Sequence, residues 1–300
     1  MNTERVKNIL IVLFSLVALM LAAFVFVDEG RYNLSDAQEA AIVSLLAHND
    51  VFLDERMDIL RNFRPMRPLD LQIYNYSISD MAARFFGDSA PQIEIEGANM
   101  YFFSDDREMM YSYLHNWVIF EIPGGISNEA FLESSGGAAA AERLAKEYIE
   151  ELLGMPPGME HTSTSLSRQR QNQYVISFFS DYRGHRLHND HIRVTVADAG
   201  ITYILYSRVQ NNGFFGESRG IFSADEALLA LLNHLRHIQI EEGPVIITEM
   251  RLAYYIAGDE GAREGVPAYV FTAMHEPSEL MFNFVFNAFT NEYVWHEIIR

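Results

Sequence analysis

Hydrophobic positions follow three patterns along the chain. The first is unbroken: residues 9–27 form a nineteen-residue apolar run with no charge and a single hydroxyl, on Ser15. At about 1.5 Å per residue, a helix of that length nearly matches a hydrocarbon core of about 30 Å, so the run predicts a transmembrane helix. The second pattern has the 3.6-residue period of a helix and predicts helices from Asp36 to near Asn49 and over 80–86, 138–153 and 224–237. Ser35 with Gln38, and Ser223 with Glu226, have the spacing of a capping box, and Ser79 is placed to cap the short helix. The third pattern alternates and predicts strands near 69–76, 92–96, 99–104, 109–122, 162–167, 173–182, 192–196, 201–209, 245–257, 267–274, 281–288 and 292–298.

In this order of elements a helix followed by antiparallel strands occurs twice, a weak internal repeat. The ends of the two copies, IRVTVADAGITYI and FNFVFNAFTNEYV, can be laid side by side. Gly200 in the first and Asn291 in the second are residues that tolerate the positive φ of a tight turn. The predicted fold class is therefore α+β: one N-terminal transmembrane helix, then an extracytoplasmic body of tandem helix-plus-antiparallel-sheet modules. The expected division is a cytoplasmic tail over 1–8, the span over 9–27, an N-terminal α+β module over 31–125, and two further modules over 128–212 and 220–300. The breaker Pro123-Gly124-Gly125 closes the first module, and the glycine-bearing stretches 211–213 and 216–220 separate the last two.

Within the last module, Phe282, Phe284, Phe286 and Ala288 fall on one face of a strand and Asn283, Val285, Asn287 and Phe289 on the other. The aromatic row suits the core beneath the preceding helix. The mixed row, Asn283, Val285, Asn287 and Phe289, is the candidate partner-binding surface of the body.

Charge adds a direction. Arg5 and Lys7 precede the span and Asp28 and Glu29 follow it, so the basic flank is expected in the cytoplasm and the body outside the cell membrane. A cleaved signal would have a shorter apolar core and small residues at a cleavage site, whereas Ala22 and Ala23 lead into Phe24, Val25, Phe26 and Val27. The span is thus expected to remain as an anchor, leaving about eight residues inside. Ser15, Ala18 and Ala22 lie on one stripe of it, where small side chains let a second membrane helix approach; they are the candidate intramembrane contact. The formal charge of the whole chain is −19; residues 1–27 carry a net +1, so the rest carries −20, which disfavours nucleic acid and anionic lipid as partners. There are no cysteines, which excludes disulfides, thiolate metal sites and a cysteine nucleophile.

Candidate chemistry is sparse. His185, His188, Asp190 and His191 crowd seven positions, but strand alternation would place His185 and His191 on one side and His188 with Asp190 on the other, so the stretch reads as a polar loop. His234 and His237 share a helix face with no third ligand identifiable beside them. There is no GxSxG elbow, no phosphate-binding GxxxxGK[ST] and no HExxH. No enzyme activity, cofactor or metal is expected.

Three features together resemble the YycI family of the YycH/YycI-type membrane-anchored regulators, which are associated with a cell-wall two-component system in Gram-positive bacteria. They are the anchor KNILIVLFSLVALMLAAF, the helix-then-sheet modules, and the closing VPAYVFTAMHEPSELMFNFVFNAFTNEYV. In the last, Pro267, Ala268, Tyr269, Asn287, Ala288 and Asn291 carry the likeness. Each module also resembles the PepSY type. The chain departs from the family's habit of a tryptophan before the span and an asparagine within it. The resemblance implies a non-enzymatic accessory regulator that modulates a sensor histidine kinase and contacts a YycH-like single-pass protein. The alternative, from the PepSY likeness, is a tethered module that binds or inhibits an extracellular protease or wall-associated protein.

Overall fold

The computed structural model describes residues 14–17, 20, 32–104, 106–114, 116–128, 131, 137–166, 173–238, 243–256, 264–278 and 280–299. Their elements, in chain order, are α1 (Asp36–Ala47), β1 (Val51–Leu53), β2 (Leu69–Ile73), α2 (Ile78–Phe86), β3 (Gln92–Glu96), β4 (Asn99–Phe103), β5 (Glu108–Ser112), β6 (Trp117–Ile126), α3 (Ala138–Leu152), β7 (Met159–Leu166), β8 (Tyr174–Tyr182), β9 (His185–Ala197), β10 (Gly200–Ser207), β11 (Val209–Phe214), α4 (Ala224–His237), β12 (Val245–Ile256), β13 (Glu264–His275), β14 (Leu280–Asn287) and β15 (Tyr293–Ile299). No helix among the described residues is long and apolar enough to cross a membrane. The apolar run 9–27 lies outside them except for 14–17 and 20, which are helical and exposed.

The two long helices form for the reasons visible in their spacing. In α3, Ala141, Leu144, Ala145, Ile149 and Leu152 turn to one side and are buried; in α4, Ala227, Leu228, Leu231, Leu232 and Leu235 do the same. Both capping boxes are present: the Gln38 amide donates to Ser35 Oγ at 3.3 Å, and the Ser223 amide donates to Glu226 Oε2 at 2.8 Å. At the short helix the cap is Ser77 rather than Ser79, with its hydroxyl donating to Asp80 Oδ2 at 2.6 Å.

Each long helix covers a four-stranded antiparallel meander that follows it in the chain: β7-β8-β9-β10 after α3 and β12-β13-β14-β15 after α4. The repeat is therefore architectural. Its turn residues match as well, since Gly200 has φ +103° and Asn291 has φ +58°.

Among the described residues, the segment 31–125 has no separate core of its own. Its elements divide between the two repeated units: α2 packs into the core under α3, and β6-β5-β4-β3 extend the first sheet from β10. The other elements, α1 and β1, join the core under α4, with β1 parallel to β12. Strand β2 pairs with β11 and with the start of β13. Two boundary expectations also change. Residues 123–125 do not end a strand, because β6 runs through them to Ile126 and absorbs them at a register slip, where a missing proline N–H is tolerated. Residues 211–213 lie within β11, again at a register slip, instead of forming a free connector.

All strands are connected by hydrogen bonding, but the link between the two units is short, a parallel contact of Arg186 and Leu187 in β9 with Ala253 and Tyr254 in β12. Beyond it the sheets meet through the faces turned away from their helices. Ile192, Val194 and Val196 of β9 point into the core under α3, while Arg193 points the other way and reaches Glu297 of β15. The order is helices, sheet, sheet, helices.

Candidate functional site

The face of β14 singled out by its alternation lies at this junction. Phe282, Phe284, Phe286 and Ala288 are buried under α4, as the pattern predicts. The opposite row is largely enclosed too, which corrects the expectation of a continuous exposed surface. Val285 is fully buried with Ala253, Ala268 and Val270. Asn283 is buried, with its Nδ2 donating to Glu297 Oε1 at 2.8 Å and its Oδ1 accepting from the Thr272 hydroxyl at 2.9 Å. The physical reason is that a second sheet, invisible to the periodicity of one strand, covers this face. Asn287 and Phe289 remain partly exposed at the rim. Asn287 Oδ1 accepts the Phe289 amide at 2.8 Å and so shapes the turn into β15. The Arg219 guanidinium lies 4.0 Å above the Phe289 ring and is ion-paired with Glu264.

Between the sheets the polar side chains form a connected set. Arg193 Nη2 donates to Glu297 Oε1 at 3.0 Å; on the far side of Asn283, Arg251 Nη2 approaches Thr272 Oγ1 at 3.4 Å and donates to Glu249 Oε2 at 2.8 Å. Beside them the ring of His188 lies 5.8 Å from Trp295, 6.0 Å from Tyr255 and 6.4 Å from His191. Burial lowers the His188 imidazole to about 4, against a smaller opposing pull from Glu297. Burial lowers His191 to about 3, with the positive charge of Arg193 acting in the same direction. For Glu297 burial alone would raise the carboxyl, but Arg193, His188 and the Asn283 amide outweigh it and hold the group at about 2.

The histidine-rich stretch is thus a strand and not a loop. Alternation across it fails because residues 187–190 of β9 bulge where the ladder with β8 slips between Phe179 and Asp181. His188 and His191 consequently share the inter-sheet space, while Asp190 turns away, buried, to pair with Arg208 and to accept the Val209 amide at 3.4 Å. The Arg208 amide in turn donates to Tyr76 Oη at 2.7 Å. Next to that pair a cleft of about 160 Å³ is lined by Tyr74, Tyr76, Asp80, Arg84, Leu153 and Tyr206. The Asp190–Arg208 pair has no local sequence signal, since its partners are 18 positions apart, and the cleft is closed only when Leu153 and Tyr206 join the 74–84 stretch.

The helix pair His234 and His237 acquires a neighbour that the sequence did not show. Strand β15 brings His296 within 6.3 Å of His234, ring to ring, with Tyr293 stacked on His234 at 3.8 Å and its hydroxyl 2.7 Å from His296 Nδ1. Among the described residues no group of three acidic or histidine side chains is arranged to hold a metal ion. Of the proposed intramembrane stripe, Ser15 is helical and exposed, and Ala18 and Ala22 lie outside the described residues.

No protein-family model matches the chain, and no curated protein matches it. Among solved structures, an uncharacterized protein from Eubacterium rectale ATCC 33656 is 13% identical over 82% of this chain and 91% of that one, with a TM-score of 0.46. The C-terminal domain of YpeB from Bacillus megaterium is 14% identical over 76% of this chain and 99% of that one, with a TM-score of 0.36. Neither likeness is close enough to transfer a fold or a role, and the α+β description rests on the chain's own helices and strands.

Proposed function

We propose that this protein is a membrane-anchored accessory regulator of the YycI type, with PepSY-like units, that modulates a sensor histidine kinase of a two-component system. Residues 9–27 span the cell membrane, the tail before them is cytoplasmic and the acidic body is extracytoplasmic. The observation that carries the reading is the nineteen-residue uncharged run ahead of the acidic body. Arg193 and Glu297 pair across the two sheets, so this buried charge cluster is accounted for by holding the body together. The role is non-enzymatic and needs no cofactor.

The regulator acts by binding one state of the kinase better than the other, since only a difference in affinity moves such an equilibrium. A coupling of about 1–3 kcal/mol between the two proteins changes kinase output roughly 5- to 150-fold. Contacts are shared between the stripe of Ser15, Ala18 and Ala22 in the membrane and the outer body, with a YycH-like single-pass protein as the second partner. Affinity isolation of the full chain from membranes in mild detergent tests this: a sensor kinase and a second single-pass protein are expected in the eluate, and recovery of neither contradicts the reading.

A further inference from the structure

The outer edge of β3 ends the first sheet, and among the described residues β4 is its sole strand partner. All five of its residues, Gln92 to Glu96, are exposed. The ladder shows why this edge is unusual. Ile93 stands beside Phe102, which is followed by Met109 and Phe120 on successive strands, so Ile93 and Ile95 belong to the same face as the core under α2 and α3. The helical cover stops one strand short: Phe102 is 5% exposed, while Ile93 is 59% and Ile95 is 68% exposed. The opposite face carries four glutamates among Tyr101, Phe103, Met110 and Ile119, and its outer edge strand is acidic. Glu94 and Glu96 lie on it, and Glu108 sits directly across from Glu121 on the same side, none of them in an ion pair among the described residues.

We propose that the free edge of β3 is a strand-addition site for a partner protein, which contributes an extended segment of alternating apolar and basic side chains. Added next to β3, such a segment continues the main-chain ladder. Its apolar side chains carry the row of Phe102 and Ile93 outward, and its lysines or arginines face Glu94 and Glu96, matching a surface that is otherwise unbalanced. A second copy of this chain is disfavoured by the same geometry, because β3 paired with β3 sets Glu94 and Glu96 of both copies on one face, where like charges repel. The inference rests on the reading of this protein as one that binds others, and it names the surface that does so.

The test uses the full chain in detergent micelles with two synthetic peptides, one alternating valine with lysine and one alternating valine with glutamate. The lysine peptide is expected to slow amide hydrogen exchange at 92–96 and to bind about tenfold more tightly than the glutamate peptide. The double variant Glu94→Lys/Glu96→Lys, both positions being exposed and outside the core, is expected to invert that preference. No protection at 92–96, or equal binding of both peptides to the unaltered chain, overturns the proposal. So does protection that grows with protein concentration alone, which would assign the edge to a second copy. If the lysine peptide protects β3 while no kinase is recovered from membranes, the edge site stands and the kinase reading falls.

Discussion

Glu297 is where the two sheets are tied electrostatically. Its carboxylate accepts from Arg193 and from Asn283, and both members of the ion pair are less than a fifth exposed. Breaking such a pair from one side leaves an uncompensated charge indoors, so Arg193→Met is expected to cost about 3 kcal/mol in urea denaturation. Adding Glu297→Gln to it is expected to restore part of that loss, because the stranded charge is then gone.

The same cluster sets a pH dependence. The folded values of His188 and His191 lie below the ordinary histidine value, so their contribution to stability is complete above about 6.5 and is lost as pH falls towards about 4 and about 3. Glu297, also lowered, contributes fully above its ordinary value of about 4.5 and loses that contribution as pH falls towards about 2. Both effects have one sign. The thermal midpoint is therefore expected to drop steadily from pH 7 to pH 4, and His188→Phe is expected to flatten the upper part of the curve. A midpoint that rises on acidification contradicts these assignments. The cluster was only partly legible in the residues: Asn283 stood out as a candidate partner contact and His188 and His191 as part of a polar loop, while Glu297 read as an ordinary alternating position, because one strand's period reveals that a face exists and not what covers it.

At the scale of elements, Gly200 and Asn291 occupy equivalent turns in the two repeated units, yet for different reasons. A Cβ on Gly200 would lie 2.0 Å from the Ile126 carbonyl oxygen and 2.8 Å from the Ser127 nitrogen, so β10 cannot keep its place beside β6 with any larger residue there. At Asn291 the positive φ is met by a side chain whose Nδ2 donates to the Glu226 carbonyl at 3.1 Å, linking the turn to α4. Gly200→Ala is expected to destabilise by about 2–3 kcal/mol, and Asn291→Gly by about 1 kcal/mol or less, as read by denaturant midpoints. Both capping boxes and the bounds of α4 were legible because each is set by neighbours within a few positions; the two turns were legible as residues that tolerate a positive φ, but their long-range partners, Ile126 and Glu226, were not. The path of β6 through Pro123 and the bulge at 187–190 in β9 were not, because both depend on the strands alongside, β10 and β8, and on register slips that leave no local mark.

For the whole molecule, the two helix-and-sheet units stand back to back, and the N-terminal elements α1, β1, α2 and β3 to β6 are shared between them. Among the described residues, open features of this body include the β3 edge, the turn at Asn287 and Phe289, and the cleft beside Tyr76. In the function proposed above, the body acts through what it touches, and the apolar run 9–27 is the segment proposed to hold it at the membrane beside a sensor kinase. The most direct measurement is to replace residues 9–27 with an unrelated apolar span of equal length, keep the body unchanged, and record kinase output in intact cells. The account predicts that regulation is lost while the protein stays at the membrane; regulation that survives the exchange would contradict it and leave the span as a tether.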